Sequence, residues 1–140
     1  MNRVIVDSSV FLSALIEQEP RRLETLLFFK KLGIAKKSVF VPSLVVTEVI
    51  NKLQRIEGEK KVEAVYQFLM SFTVIDLDKT FLQQALPYWS RCRLKTSDAV
   101  IALTGAIYQA VLVSWDEKLL AEAGKITKAV TPADFMRFDN

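Results

Sequence analysis

Histidine is absent from the 140-residue chain, and cysteine occurs once, at Cys92. Without histidine the chain cannot use a Ser-His-Asp triad, a Cys-His pair, histidine-bound zinc or imidazole acid–base chemistry. A single cysteine excludes an internal disulfide and a thiolate zinc cage, and we expect it to act as a small, semi-buried hydrophobic residue. Any hydrolytic chemistry must therefore rest on carboxylates, hydroxyls, lysine, tyrosine or a bound metal.

Long hydrophobic runs are also missing. The nearest candidate for a membrane span, residues 99–115, is uncharged but shorter than the roughly 20 apolar residues that a span needs. It also contains several residues that a span would not favour: Thr104, Gly105, Gln109 and Ser114. A buried helix followed by a buried strand explains this segment better. No signal peptide precedes the first strand-like run, which starts at Arg3, so we expect a soluble cytoplasmic protein.

Glycine and proline are scarce, at four residues each, and no linker, repeat or low-complexity tract interrupts the chain. The content of 51% hydrophobic and 25% charged residues is typical of one globular domain, and we assign residues 1–140 to it. The net charge of +3 and the pI near 9.0 are compatible with an anionic partner such as nucleic acid.

Short runs rich in valine, isoleucine and leucine alternate with segments of helical periodicity. The runs predict strands at residues 3–7, 38–42, 73–77 and 110–115, with a fifth at 127–130. The periodic segments predict helices at residues 8–18, 20–33, 43–56, 59–72, 78–92, 95–109 and 116–125. Continuous apolar strands that alternate with helices indicate a parallel sheet covered on both faces, so we predict a three-layer α/β/α domain with four to five strands.

Local signals predict how some of these helices begin and continue. Ser8 or Ser9 is expected to cap the first helix, and Thr96 or Ser97 the helix at 95–109. Pro87 should kink or divide the helix at 78–92, because proline lacks the amide hydrogen that a helix interior needs.

Four acidic residues are placed where such a fold binds ligands, which is outside the carboxyl ends of the strands. Asp7 ends the first predicted strand and Asp116 follows the fourth. Asp98 lies in the first turn of the helix that leads to the fourth strand, and Glu48 lies on the helix after the second. Hard cations such as Mg²⁺ prefer a few carboxylates plus water, so these acids can form a metal site if the fold brings them together.

Each acid also has a purely structural explanation. Asp7 and Asp116 can cap the helices that follow them, and Asp98 can favour the positive end of its helix dipole. Glu48 is placed roughly opposite an apolar stripe, and Lys52 four residues on offers an ordinary surface ion pair. Capping and metal binding are compatible, so both explanations stay open.

The chain resembles the PIN domain family, and is most similar to the VapC-type toxin ribonucleases of prokaryotic toxin–antitoxin pairs. The resemblance covers nearly the whole chain and rests on four segments in order: VDSSVFLSAL, VPSLVVTEVINKL, LKTSDAVIALTGAI and LVSWDEKLLAEAGKITKAVTPADFM. In that family the acids of these motifs form an Mg²⁺ or Mn²⁺ site for RNA cleavage. The resemblance therefore implies catalytic and metal-binding roles for Asp7, Glu48, Asp98 and Asp116.

The resemblance also assigns supporting roles near these acids. The family commonly has a hydroxyl residue two positions before its last acid, which Ser114 matches, and a polar pair after the first acid, which Ser8 and Ser9 match. These hydroxyls are expected to orient carboxylates or bound water, and their alternative role is helix capping or filling of a strand end. Trp115 departs from the family at a position that usually holds a smaller or polar residue. A side chain of this size could affect substrate access at that edge of the pocket. Glu117 could supplement Asp116, or it could be an ordinary solvated helix residue.

The expected reaction is hydrolysis of an RNA phosphodiester that leaves a 3′-hydroxyl and a 5′-phosphate, as the resemblance implies. Clustered carboxylates repel one another without a cation, and a bound Mg²⁺ or Mn²⁺ would lower the pKa of its water.

RNA needs basic residues around such an acidic pocket. Arg91, Arg93 and Lys95 lie just before Asp98 and are the first candidates, and a second group consists of Lys52 and Arg55. Either group could instead simply solvate the surface.

Two other functions remain open, and partners are expected as well. The alternative of a different class is a non-catalytic nucleic-acid or protein-interaction module with the same fold. A phosphate-binding signalling domain or phosphatase fits less well, because the strand ends carry no glycine-rich phosphate loop.

The consecutive apolar residues at 26–29 indicate an interface unless both faces of that helix are buried. The resemblance favours a homodimer and an antitoxin peptide bound near the first four helices.

Overall fold

A computed structural model describes residues 2–138 of the chain. Its five strands are β1 (Arg3–Val6), β2 (Ser38–Pro42), β3 (Thr73–Ile75), β4 (Val111–Val113) and β5 (Ala129–Val130). Its helices are α1 (Ser8–Leu15), α2 (Arg22–Ile34), α3 (Ser43–Glu57), α4 (Val62–Met70), α5 (Lys79–Trp89), α6 (Thr96–Tyr108), α7 (Glu117–Ala123) and α8 (Pro132–Phe138), with a 3₁₀ turn at Glu59–Lys61. The helix α8 was not predicted from the sequence.

The five strands form one sheet in the order β3-β2-β1-β4-β5, and every neighbouring pair is parallel. Helices flank this sheet, so the predicted α/β/α fold with a parallel sheet is confirmed. The strand order reverses between β1 and β4, where Val6 pairs with Val113. In open α/β sheets this reversal opens a crevice at the carboxyl ends of the two strands. Asp7 and Ser114, the residues that follow this pair, therefore lie side by side at that crevice.

The core explains why β1 occupies the centre of the sheet. Val4, Ile5 and Val6 are fully buried, as expected for a parallel strand with neighbours on both edges and helices over both faces. Phe11 on α1 is also fully buried and stacks against Phe29 of α2 at 5.3 Å between ring centroids. This packing joins α1 to α2 within the same hydrophobic core as β1.

Three local expectations are wrong. Neither Ser8 nor Ser9 caps α1, because Asp7 occupies the N-cap position, and its carboxylate makes no capping hydrogen bond. Lys95 holds the N-cap position of α6 in place of the expected Thr96 or Ser97, again without a side-chain bond. Pro87 does not divide its helix: α5 continues through it and ends two residues later. Pro87 removes one backbone donor from the last turn of α5, and the helix extends only two residues beyond it.

The part of the chain that the structure describes contains no helix with the length and apolar character needed to cross a membrane. Residues 99–115, the nearest candidate in the sequence, are divided between α6 and β4, as expected for a buried helix and a buried strand. Eight consecutive residues of α6 are buried, which accounts for the unusually apolar composition of this segment.

Candidate active site

An open pocket of about 490 Å³ lies at the crevice between β1 and β4. All four predicted acids line it: Asp7, Glu48, Asp98 and Asp116. Asp7 directly follows β1, Asp98 lies in the first turn of α6, and Asp116 is the N-cap residue of α7. Glu48 reaches the pocket from the second turn of α3. The fold thus brings together four acids that are far apart in the sequence.

Asp7 is held in one orientation by hydroxyl groups. Ser114 donates a hydrogen bond of 2.7 Å to its Oδ2 atom, and Ser9 donates to the same atom at 2.9 Å. Ser8 lies 3.4 Å from the other oxygen, Oδ1, which is a long contact for a hydroxyl donor. Asp7 is 4% exposed, and its two strong hydrogen bonds fall on one oxygen, so Oδ1 retains most of its capacity to accept another partner.

Ser114 also links Asp7 to Asp116. Its hydroxyl accepts a hydrogen bond from the backbone N–H of Asp116 at 2.9 Å while it donates to Asp7. Oδ1 of Asp116 accepts from the backbone N–H groups of Lys118 and Leu119 and so caps α7, as the structural explanation predicted. Asp116 therefore caps a helix and lines the pocket at once. Glu117, considered as its substitute, is exposed and does not line the pocket.

Glu48 has a buried side-chain oxygen without a partner. Its side chain is partly exposed, but its Oε1 atom is buried and has no hydrogen-bond partner. Burial raises the pKa of Glu48, and the nearby charges of Asp7 and Asp98 raise it further, against the weaker opposite influence of Lys95 and Lys52. Lys52, the ion-pair partner considered from the sequence, acts on Glu48 through its charge, and Oε1 remains unpartnered. An unpartnered buried carboxylate oxygen indicates a position where a ligand would bind.

The pKa of Asp98 is raised for the same physical reasons as that of Glu48. Burial raises its pKa, and the charges of Asp7 and Asp116 add to the rise, while Lys95 and Lys118 oppose it. Because Asp7 raises the pKa of both Glu48 and Asp98, it lies within electrostatic reach of both. Like charges that share a pocket favour protonation or the binding of a cation.

The donor set fits a hydrated hard cation. Within residues 2–138, no three acidic, cysteine or histidine side chains are close enough to form a complete metal cage as they stand. Mg²⁺ does not require such a cage, because it usually keeps several waters and takes one or two carboxylates from the protein. The four carboxylates of the pocket are ligands of that kind, and one of them, Glu48, has an unpartnered oxygen. The residues present therefore fit Mg²⁺ or Mn²⁺, with water completing the coordination.

Basic side chains enter the pocket from two directions. Lys95, on the rim before α6, lines it, as do Lys52 and Arg55 of α3. Arg91 and Arg93 do not line it: Arg91 donates to the carbonyl of Lys125, and the backbone N–H of Arg93 donates to Glu122. The structure thus brings one residue of the first predicted group to the pocket, together with both residues of the second.

Two further polar residues, Asn51 and Ser97, line the pocket and were missed. A signal for Asn51 existed in the sequence, because residues 51, 52 and 55 follow Glu48 at helical intervals of three, four and seven. Such spacing places side chains on one face of α3. Ser97 lies next to Asp98, and its proximity to the pocket depends on where α6 begins.

Trp115 contacts α2 beside the pocket. Its indole N–H donates a hydrogen bond of 2.9 Å to the hydroxyl of Thr25, and the guanidinium of Arg21 lies 4.4 Å from the centre of its ring. Thr25 is fully buried although it is polar. No sequence pattern predicts these contacts, because they join residues 90 and 94 positions apart.

The family model of the PIN domain matches residues 4–126, and the chain therefore belongs to the PIN domain family. Solved structures with the same fold include FitAcB from Neisseria gonorrhoeae, which is 14% identical with a TM-score of 0.72 over 93% of this chain and 98% of that one. DNA-bound VapBC from Salmonella typhimurium is 13% identical with a TM-score of 0.71 over 94% and 99%. VapC20 from Mycobacterium tuberculosis, described as a toxin that cleaves the sarcin–ricin loop, is 19% identical with a TM-score of 0.67 over 84% and 93%.

These findings confirm the resemblance that the four sequence segments indicated. At identities below 20% the likeness to the solved structures concerns the fold. No curated protein sequence matches the chain.

Proposed function

We propose that this chain is an Mg²⁺- or Mn²⁺-dependent endoribonuclease and the toxin of a toxin–antitoxin pair. The observation that carries the proposal is the convergence of four acids on one pocket at the strand-order reversal, with one buried carboxylate oxygen left unpartnered. Membership of the PIN domain family and the VapC folds among the structural neighbours support it.

Asp7, Asp98 and Asp116 would hold the cation, with Glu48 beside them. Once bound, Mg²⁺ or Mn²⁺ lowers the pKa of a coordinated water and stabilises negative charge on the phosphate. Ser9 and Ser114 hold Asp7 by its Oδ2 atom, so that Oδ1 is directed to the ligand. The buried, unpartnered Oε1 of Glu48 would bind the cation or accept a hydrogen bond from one of its waters.

Lys52, Arg55 and Lys95 would receive the RNA backbone. They line the same pocket as the acids, and they provide the positive charge without which an acidic pocket would repel phosphate. Ser97 and Asn51 add neutral hydrogen-bonding groups at the rim. We assign Arg91 and Arg93 a smaller part in binding RNA, since both are engaged away from the pocket through the contacts described above.

The proposed protein partners rest on apolar surface. On α2, Phe28 is buried, but Leu23, Leu26 and Leu27 are 74%, 38% and 53% exposed. The helix is therefore not covered on both faces within this chain, which supports a homodimer or a bound antitoxin. Several structural neighbours are described as toxin–antitoxin complexes, which supports the second partner. Light scattering at tens of micromolar tests the homodimer, and a clean monomer would contradict it.

The function is tested with purified protein and a mixed RNA substrate. We expect cleavage with millimolar Mg²⁺ or Mn²⁺ and none after chelation, with restoration when the cation is returned. Mapping of the products should find 3′-hydroxyl and 5′-phosphate ends. A folded chain that binds RNA but never cleaves it, with either cation, would instead support a non-catalytic module.

A further inference from the structure

The segment between β4 and α7 carries Asp116, which lines the pocket, and the buried Ser114, which donates to Asp7, yet no regular secondary structure holds it. Residues 114–116 lie between a three-residue strand and a seven-residue helix. One backbone bond, from Ser114 N–H to the carbonyl of Val130, ties the segment to β5. The orientation of Ser114 and Asp116 must therefore depend on further contacts.

Trp115 provides such a contact through its side chain. Its indole N–H donates to Thr25 Oγ1 at 2.9 Å, and Thr25 in turn donates to the carbonyl of Arg21 at 2.7 Å. The hydroxyl of Thr25 thus both donates and accepts, which explains how it is buried without an unsatisfied group. The guanidinium of Arg21 covers the face of the indole at 4.4 Å, a distance typical of a cation–π contact. The ring is fixed on two sides to the start of α2.

The backbone of Trp115 continues this connection into the pocket. Its N–H donates to the hydroxyl of Ser9 at 3.1 Å, and Ser9 donates to Asp7 Oδ2. The next N–H, of Asp116, donates to the hydroxyl of Ser114, which donates to the same oxygen of Asp7. The hydroxyls of Ser9 and Ser114 each accept one of these two successive N–H groups, and each donates its single proton to Asp7. A shift of Trp115 would misplace both donors together.

We propose that Trp115 is a positioning residue for the metal site: anchored to Thr25 and Arg21, it fixes the backbone that orients Asp7 and Asp116. This inference rests on the function proposed above. The large side chain that departs from the family pattern thus acts on the carboxylates through Ser9 and Ser114, from outside the pocket, which it does not line.

Two substitutions remove the anchor without removing the ring or the backbone donors. Trp115→Phe keeps an aromatic side chain but loses the indole N–H, and Thr25→Val keeps the shape of threonine but loses the acceptor. Thr104→Val is the matched control for the second, since Thr104 is fully buried on α6 and donates to the carbonyl four residues back, as Thr25 does. Trp89→Phe is the control for the first, because Trp89 is 45% exposed on α5.

Calorimetric titration with Mn²⁺ measures the effect on the site. We expect both anchor variants to weaken Mn²⁺ binding by about three- to tenfold, within or just below the range for residues that orient metal ligands. The double variant should be no weaker than the more affected single variant, because both remove the same hydrogen bond. Thr25→Ser, which restores the hydroxyl, should recover the affinity. At saturating Mn²⁺ the kcat of Trp115→Phe should return to near that of the parent, with KM for RNA unchanged.

A second measurement does not depend on metal. In the metal-free protein, the amide of Asp116 should exchange with solvent faster in Trp115→Phe than in the parent, because its hydrogen bond to Ser114 is less well oriented. Unchanged exchange together with unchanged Mn²⁺ affinity in both anchor variants would overturn the inference and leave the proposed function standing. Faster exchange in Trp115→Phe, together with a parent protein that takes up no Mn²⁺, would support the positioning role and count against the metal-dependent nuclease.

Discussion

The two halves of the pocket are built differently. On the strand side, Asp7 and Asp116 accept hydrogen bonds from two hydroxyls and two backbone N–H groups, respectively. On the helix side, Glu48 has a buried oxygen without a partner, and both Glu48 and Asp98 have a raised pKa because of burial and neighbouring carboxylates. The strand side is therefore oriented before any ligand arrives, whereas the helix side carries electrostatic repulsion that a cation would relieve.

This difference assigns separate tasks to groups of the same chemical type. Hydrogen-bonded carboxylates can keep their geometry at little cost, so they suit the fixed positions of a metal site. Carboxylates that are partly buried and surrounded by like charge gain the most when a cation binds. Substitutions on the two sides should accordingly differ in their effects on cleavage, metal affinity and stability.

Asp7→Asn and Asp98→Asn should each lower RNA cleavage by at least about 100-fold, because each removes charge that holds the cation. Both variants should remain folded, since asparagine at position 7 can still offer its carbonyl oxygen to Ser9 and Ser114. A cleavage assay with far-UV circular dichroism checks both points. Glu117→Gln, an exposed acid outside the pocket, is the matched control and should retain activity. Full activity in both pocket variants would refute the site.

Added Mn²⁺ or Mg²⁺ should raise the thermal unfolding midpoint of the parent, because a ligand that binds only the folded state stabilises it. At a cation concentration of 100 times the Kd, the gain is about 2.7 kcal/mol, enough for a shift of several degrees. The shift should shrink strongly in Asp98→Asn. Melting curves recorded with and without Mn²⁺ or Mg²⁺ test this. Identical midpoints at millimolar cation would speak against metal binding.

Ser114→Ala should weaken the strand side specifically. It removes a donor to Asp7 and an acceptor for the N–H of Asp116, so we expect Mn²⁺ affinity to fall by about tenfold. Ser71→Ala is the control, because Ser71 is exposed and donates to the carbonyl of Phe68. If Ser114→Ala bound Mn²⁺ as tightly as the control, the contrast between the two sides would lose its basis.

Glu48→Gln should make the metal-free protein slightly more stable at neutral pH. The raised pKa of Glu48 means that the folded state binds its proton more strongly than the unfolded state, so this group destabilises the fold as pH rises through that range. The gain should be less than about 1 kcal/mol, since water screens the partly exposed side chain. It should disappear below the ordinary pKa of glutamate, where both states are protonated. Urea unfolding at neutral and acidic pH measures it, and a loss of stability at neutral pH would be the opposite result.

Lys52→Gln and Arg55→Gln should have the smallest effects. Each should reduce RNA affinity modestly and reduce the dependence of log K on log salt by about 0.7 for each lost contact with single-stranded RNA. Lys61→Gln provides the control, because Lys61 lies outside the pocket and pairs with Glu57 at 2.8 Å. Fluorescence anisotropy over a range of salt concentrations distinguishes these cases, and an unchanged slope for both pocket variants would exclude them from the RNA path.

The sequence predicted the fold well where local patterns and packing agree. Val4, Ile5 and Val6 form an apolar run that fits only a buried strand, and the alternation of such runs with helices leaves few architectures. The capping prediction held for Asp116 at α7 but failed for the hydroxyl residues at α1 and α6, because the bonds that such hydroxyls form depend on contacts elsewhere. Ser9 is an example, since its hydroxyl donates to Asp7 and accepts from the N–H of Trp115 instead.

The sequence likewise predicted only part of the candidate site. Strand ends and family motifs pointed to the four acids, but the pattern of their bonding depends on which chain segments meet. No local signal connects Trp115 to Thr25, because their contact forms only when α2 packs beside the segment after β4. The RNA-binding roles of Arg91 and Arg93 stay predictions: neither residue lines the pocket, since the guanidinium of Arg91 donates to the carbonyl of Lys125 and the backbone N–H of Arg93 donates to Glu122.

The central position of β1 also sets the order in which the site can appear during synthesis. Asp7 is made early, but its partner Ser114 lies 107 positions later. Chains emerge from the ribosome amino end first, at roughly 5–20 residues per second, so Asp7 must wait several seconds for β4 to be inserted beside β1. A chain released before that point has Glu48 and can have Asp98, but it lacks the hydroxyl that orients Asp7. Interrupted translation of this protein should therefore yield inactive fragments.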